Sequence, residues 1–188
     1  SITEEAIEDN LYDRLAGRYT KALARSMAQT KQIKAAAVLN NAFTAGASAG
    51  GDGVALLSAS HPTISGTQSN ILSTAADLNE TSLEQALIDI AGLQDERGLK
   101  IAVRGTKLII PKELQFIAER VLNSNLRVGT ADNDANAIKN MGMLPQGAVV
   151  NHFLTDTDAF FIKTDAPNGL KYFNRAAIKT AMEGDFDT

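Results

Sequence analysis

Two histidines, a run of glycines and a carboxylate-rich loop are the places where this sequence could hold chemistry. His61 follows Ser58 and Ser60, so a Ser/His hydrolase is one reading. That reaction needs a serine presented on a strained elbow, and no G-x-S-x-G occurs; adjacency in sequence does not create a nucleophile–base hydrogen bond. An imidazole bonded to a neighbouring loop is the better reading of His61, and His152 carries no catalytic pattern either. Asp132, Asp134 and Asn136 have the spacing that opens a calcium loop, but its sixth position is Ala137 instead of Gly and its twelfth is Met143 instead of Glu. The stretch Thr44 to Gly53 is rich in glycine, yet no lysine lies between Lys34 and Lys100, which rules out a P-loop; a hinge or surface connection fits. Asp156 and Asp158 read as turn residues. Asn79-Glu80-Thr81 matches a glycosylation acceptor, but Thr81 is better explained as a helix cap. The sequence predicts no catalytic, cofactor or metal site.

Arg14, Arg18, Lys21 and Arg25 form the remaining constellation. Steps of four, three and four put them on one narrow stripe of a helix. That stripe is either the solvated back of an amphipathic helix, or a surface that meets nucleic-acid phosphate or an acidic patch on another subunit.

The element that must carry these residues is one long helix from Ser1 to about Phe43. Ser1 with Glu4 fits a capping box, and Glu4, Glu5, Glu8 and Asp9 suit a helix start. Ile7, Leu11, Leu15, Tyr19, Leu23 and Met27 recur at steps of four, with Ile33 and Val38 continuing, so an apolar stripe winds slowly around the helix. At the helical rise it would be roughly 60 Å long, a spine to which other material or other copies attach. The stripe is expected to face the middle of the chain and a β-rich tail. Leu15→Asp and Leu23→Asp are accordingly expected to disrupt folding.

Beyond the spine, Pro62 biases His61 towards an extended conformation, and a polar loop runs to Asn70. Thr81 with Glu84 suggests a second capping box, opening a helix to about Arg97 that buries Leu83, Ala86, Leu87 and Ile90 and stops at Gly98. Leu99, Ile101 and Val103 alternate as a half-buried strand. Lys107 to Ile110 is a short apolar strand, and Pro111 opens a helix burying Leu114, Ile117, Ala118, Val121 and Leu122. A helical turn is expected over Ala135 to Met141. Strands follow at Ala148 to Phe153, Ala159 to Lys163, Leu170 to Asn174 and Ala177 to Met182. This order is α+β.

The chain has 188 residues, 44% of them hydrophobic and 21% charged, which is ordinary for a globular protein with a real core. A net charge of −4 does not suggest a dedicated nucleic-acid binder. Cysteine is absent, which removes disulfides, thiolate metal sites and a cysteine nucleophile. No apolar run reaches the length of a membrane span, so no membrane partner is expected. Both ends look cut, which leads one to expect a longer polypeptide.

The order of segments resembles major capsid proteins of tailed bacteriophages, especially Mu-like major head subunits, which share the Hong Kong phage capsid fold. The carrying residues are the helix end Ala35-Ala36-Ala37-Val38-Leu39-Asn40-Asn41-Ala42-Phe43, then Asp52-Gly53 and Leu57-Ser58-Ala59-Ser60-His61-Pro62. Asn70-Ile71-Leu72, Leu78 to Glu84, Asp95-Glu96-Arg97-Gly98 and Thr106 to Pro111 follow, and Val149-Val150-Asn151 and Leu154 to Phe161 close the match. The resemblance implies a peripheral-type domain from 1–60 and 175–188 around the spine helix, a connecting loop at 61–81 and an axial-type domain at 82–174. The family's N-terminal arm and extended loop are not found in this sequence. It implies a non-enzymatic shell subunit without cofactors, which assembles in the bacterial host cytoplasm into pentamers and hexamers of an icosahedral virion capsid enclosing double-stranded DNA. Its partners would be other copies of itself, scaffolding, portal or decoration proteins, and packaged DNA in weak non-specific contact. Arg14, Arg18, Lys21 and Arg25 would then face a neighbouring subunit or phosphate. The shell of an encapsulin-like cargo compartment is the alternative within the same fold.

Overall fold

The computed structural model describes residues 12–46, 51–127, 134–167 and 169–176. Helix α1, Tyr12–Asn40, runs 29 residues, about 43 Å at the helical rise. Residues 1–11 of the expected spine, with its capping box, lie outside the described residues. The helix closes through Asn41, whose side-chain amide and backbone N–H both donate to the Ala37 carbonyl at 2.8 and 3.1 Å. Ala42 N–H then bonds the Leu39 carbonyl in a tighter turn.

A small antiparallel hairpin follows, β1 (His61–Thr63) with β2 (Gly66–Gln68), in a stretch read from sequence as a polar loop. His61 is extended, as Pro62 requires. The hairpin turns at Ile64-Ser65, and Gly66, which opens β2, has φ +136°.

Helix α2, Glu80–Ala91, is capped two residues before the expected position. Asn79 is the N-cap: its side chain accepts from Ser82 N–H at 2.8 Å, and the Ser82 hydroxyl accepts from Asn79 N–H at 3.0 Å. An Asn/Ser box therefore displaces the Thr81/Glu84 box, because Asn ranks with the best cap residues and Ser82 stands at the reciprocal third position. The helix ends at Gly92 instead of near Arg97. The Asp95 carboxylate accepts from the N–H groups of Arg97 and Leu99, both at 2.8 Å, and so competes with helix continuation. Gly98, at φ +85°, belongs to that turn.

The strand expected over 99–103 does not form. Ala102 sits at φ +51°, which breaks the extended run; a lone bridge pairs Lys100 with Gln94, and of the three alternating apolar residues only Val103 is buried.

The sheet order is β4 (Ala148–Val150), β3 (Gly105–Ile110), β5 (Phe161–Thr164), with β3–β4 parallel and β3–β5 antiparallel. The parallel pair needs a crossover. It is supplied by a 3₁₀ turn, Lys112–Leu114, helix α3, Gln115–Asn123, and helix α4, Ala137–Met141. Pro111 precedes the 3₁₀ turn and does not open α3 directly. The strands expected at 148–153 and 159–163 are shortened and shifted to β4 and β5, residues 170–174 form no ladder, and 177–182 lies outside the described residues.

The core packs Leu83 and Leu87 of α2 and Leu108 and Ile110 of β3 against Ala118 and Val121 of α3, with Ile138 and Leu144 closing one side. Gly105 is a packing requirement: a Cβ there would lie 2.7 Å from Leu87 Cδ2, 3.1 Å from Ile162 Cγ2 and 3.2 Å from Leu144 Cδ2. Glu80 is buried, and its carboxylate lies 3.4 Å from Arg127 Nε, so the charge at the start of α2 is paired. These helices and sheets together are an α+β arrangement.

Candidate functional site

The catalytic candidates resolve into structural contacts. His61 Nδ1 lies 2.7 Å from Asp52 Oδ2, and since an ionised carboxylate only accepts, the imidazole donates. Asp52 also accepts from Val54 N–H at 3.2 Å. The His61 hydrogen bond, with that of Val54 behind it, holds the Asp52 carboxyl below the usual aspartate range. The other imidazole nitrogen, Nε2, is buried without a hydrogen-bond partner, so no serine hydroxyl reaches it. Ser58 and Ser60 pair their hydroxyls with each other at 3.3 Å. A nucleophile–base pair is not assembled there. Asn70 ties the same loop: its amide donates to the Leu56 carbonyl and its side-chain oxygen accepts from Ser58 N–H, both at 2.8 Å.

The calcium-like loop is likewise accounted for where it is described; Asp132 lies outside the described residues. Asn136 is fully buried and caps α4, accepting from Lys139 N–H and donating to the Val121 carbonyl at 2.6 Å. Asp158 and Asp156 share a turn. A hydrogen bond from Asp158 lowers Asp156, and the same bond, with the nearby charges of Asp156 and Asp77, raises Asp158. Among the described residues no group of three or more potential ligands could hold a metal ion.

What remains is α1 and the way it is attached. Every residue from 17 to 35 is exposed. Burial begins in the last turns, where Ala36 and, just past the helix, Ala42 are buried. Asn40 pins that joint from both ends of its amide: it donates to the Phe153 carbonyl at 3.0 Å and accepts from Thr155 N–H at 3.1 Å. Phe43 stacks at a tilt on Phe161 of β5, ring centroids 6.2 Å apart. Leu57 N–H bonds the Ala42 carbonyl at 2.9 Å, tying the 51–70 loop to the same point. The joint encloses a cleft of only about 20 Å³, room for a water molecule and no ligand.

The expected burial of the apolar stripe is overturned from Tyr19 to Ile33; Ile7, Leu11 and the side chain of Leu15 lie outside the description. Tyr19 is 63% exposed, Leu23 53% and Ile33 46%. The reason is geometric. At about 100° per residue the stripe centres roughly 150° around the helix from Ala36 and Leu39, the side that meets the domain. Arg18, Lys21 and Arg25 are exposed and share the joint's side of the helix, as does the Cα position of Arg14, whose side chain lies outside the description. Sequence reading missed Asn40 as a pin and Phe43 as a contact. The Asn40-Asn41 pair signals a helix end, but not its partners.

The arrangement is thus a long exposed helix pinned near its C-terminal end to an α+β body that, among the described residues, gathers no reactive constellation. A family model described as phage capsid protein matches residues 1–188, the whole chain. The chain belongs to the phage capsid protein family. No curated protein and no solved structure matches it. As a capsid protein it is a structural protein of the bacteriophage head, self-associating in the virion. On α1 an exposed basic stripe and an exposed apolar strip lie on opposite sides of the helix.

Proposed function

We propose that this capsid protein is a major head subunit of the Mu-like type with the Hong Kong phage capsid fold. Its copies tile as pentamers and hexamers into an icosahedral shell enclosing double-stranded DNA, assembled in the host cytoplasm. The observation that supports this best is α1: a helix of 29 residues held at one end, with 17–35 in water, suits a subunit completed by its neighbours. In proteins most helical stability comes from tertiary packing, so a helix of this length with little packing of its own suits a subunit to which assembly supplies contacts. In this reading 1–60 and 175–188 form the peripheral-type domain, 82–174 the axial-type domain and 61–81 their connection. Scaffolding, portal and decoration proteins are the further partners.

Arg14, Arg18, Lys21 and Arg25 are the proposed phosphate-facing or subunit-facing stripe. Phosphate contact makes the association weak, non-specific and salt-dependent. Electron microscopy of the protein, expressed alone and with its neighbouring genes' products, tests the whole proposal. Closed shells that carry double-stranded DNA after packaging are the expected result. A protein that stays monomeric under all those conditions overturns it, and shells filled with enzyme cargo instead of DNA favour the encapsulin-like alternative.

A further inference from the structure

Asp52-Gly53 is the only Asp-Gly pair in the sequence. Asp before Gly is chemically labile, because glycine has no side chain to screen its backbone nitrogen from the preceding carboxyl. That nitrogen attacks Asp52 Cγ. The N–Cγ bond forms, and one carboxyl oxygen leaves as water, taking the carboxyl proton and the amide proton, so a five-membered succinimide results. Water then adds to one of the two carbonyl carbons of the ring. Opening at Cγ returns aspartate, whereas opening at the backbone carbonyl routes the chain through Cγ as isoaspartate, one methylene longer. The first step needs the protonated carboxyl, since an ionised carboxylate has no leaving group. Gly53 is open to this reaction: a Cβ placed there would meet nothing within 4 Å, and its φ of +76° favours glycine at the position.

The structure opposes the reaction at the carboxyl. Oδ2 accepts from His61 Nδ1 at 2.7 Å and Oδ1 from Val54 N–H at 3.2 Å, so both oxygens are held and the ionised form is favoured. The His61 ring serves no other partner, because Nε2 is buried without a hydrogen bond. We propose that Asp52-Gly53 is a site of spontaneous isoaspartate formation, and that His61 is the positioning residue that holds the reaction back. The consequence falls on the attachment of α1. Ala55, three residues on, is buried, and Leu57 N–H is tied to the Ala42 carbonyl at 2.9 Å just past the helix. A methylene inserted at residue 52 displaces the short segment that makes this tie. The inference concerns bonds within one chain and stands apart from the manner of assembly.

The test incubates the unsubstituted chain, His61→Ala and His61→Asn for weeks at neutral pH and physiological temperature, with the unsubstituted chain unfolded in guanidinium as reference. Isoaspartate is counted by enzymatic methyl transfer to its free α-carboxyl and placed at residue 52 by electron-transfer fragmentation. The unfolded chain is expected to convert at residue 52 and the folded chain to resist. His61→Ala should convert on the order of tenfold faster than the folded unsubstituted chain, the factor that one hydrogen bond to an ionised group supplies. His61→Asn, whose amide nitrogen stands in for Nδ1, should restore part of the protection. Equal rates in the folded unsubstituted and His61→Ala chains overturn the proposal, as does an unfolded reference that does not convert at residue 52. Amide exchange of Leu57 and Ser58, which bond the Ala42 carbonyl and Asn70 Oδ1, separates a local effect from loss of the loop. If both exchange at the unfolded rate in His61→Ala, the order of the loop gives the protection, and the role of His61 is overturned.

Discussion

At the scale of single residues, a few side chains hold the chain together where secondary structure does not. Asn40 satisfies one donor and one acceptor of the 153–155 turn from the end of α1. Asn40→Ala leaves those groups to water and is expected to cost about 1–3 kcal/mol. Hydrogen exchange should rise in residues 36–43 and 153–155 while the core stays protected. Gly105 and Gly17 make a contrast in the same substitution. Gly105→Ala drives a Cβ into Leu87, Ile162 and Leu144 and is expected to lower stability by about 1–3 kcal/mol. Gly17→Ala meets nothing within 4 Å in a helix interior and is expected to raise helix stability by up to about 1 kcal/mol. Thermal melts of the two variants, shifting in opposite directions, check both. Asp52 gives a pH dependence. Its folded carboxyl is depressed by His61, so its contribution is complete above the ordinary aspartate value and is lost as pH falls through the lower folded one. Exchange of Val54 N–H should accelerate over that acid window, and Asp52→Asn should remove the pH dependence.

At the scale of elements, periodicity was legible and boundaries followed local competition. The apolar spacing of α1 and α3, and the apolar run of β3, marked those elements because each segment's pattern matches one backbone period. The helix end at Gly92 and the missing strand at 99–103 were settled by the Asp95 side chain and by the backbone at Ala102, neither of which has a periodic signature. The hairpin at 61–68 escaped notice because its strands are three residues each and carry no apolar alternation. The expectation for Leu23 changes as well. With the side chain 53% exposed, Leu23→Asp is expected to alter the stability of the isolated subunit by no more than about 0.5 kcal/mol. Its effect should appear in assembly if the exposed apolar strip of α1 is covered there, since a charge would then be buried. Denaturant unfolding of the subunit beside particle yield separates the two. Loss of subunit stability instead would mean that the strip is covered within the chain.

At the scale of the whole molecule, the body of the chain is built around the short sheet and α2–α4, and among the described residues the long helix is tied to it at its C-terminal end. That division explains why the candidates for chemistry fell away: His61, Asn136 and the aspartates of 156–158 all serve loops, caps and turns of a scaffold. The sequence by itself determined the long helix, the apolar segments of β3 and α3, the want of a catalytic motif and, through the order of its segments, the likeness to phage capsid proteins. These are properties of local pattern, and local pattern is written in neighbouring residues. Only the tertiary structure decided which face of α1 meets the domain. The amphipathic helix carries an apolar stripe and a basic stripe, and either satisfies the period. The apolar one would have been assigned to the core by the hydrophobic effect alone. The joint at Asn40 and Phe43 fixes the helix by its other side, because contacts more than a hundred residues apart in sequence set its rotation, and the apolar stripe is left for another surface.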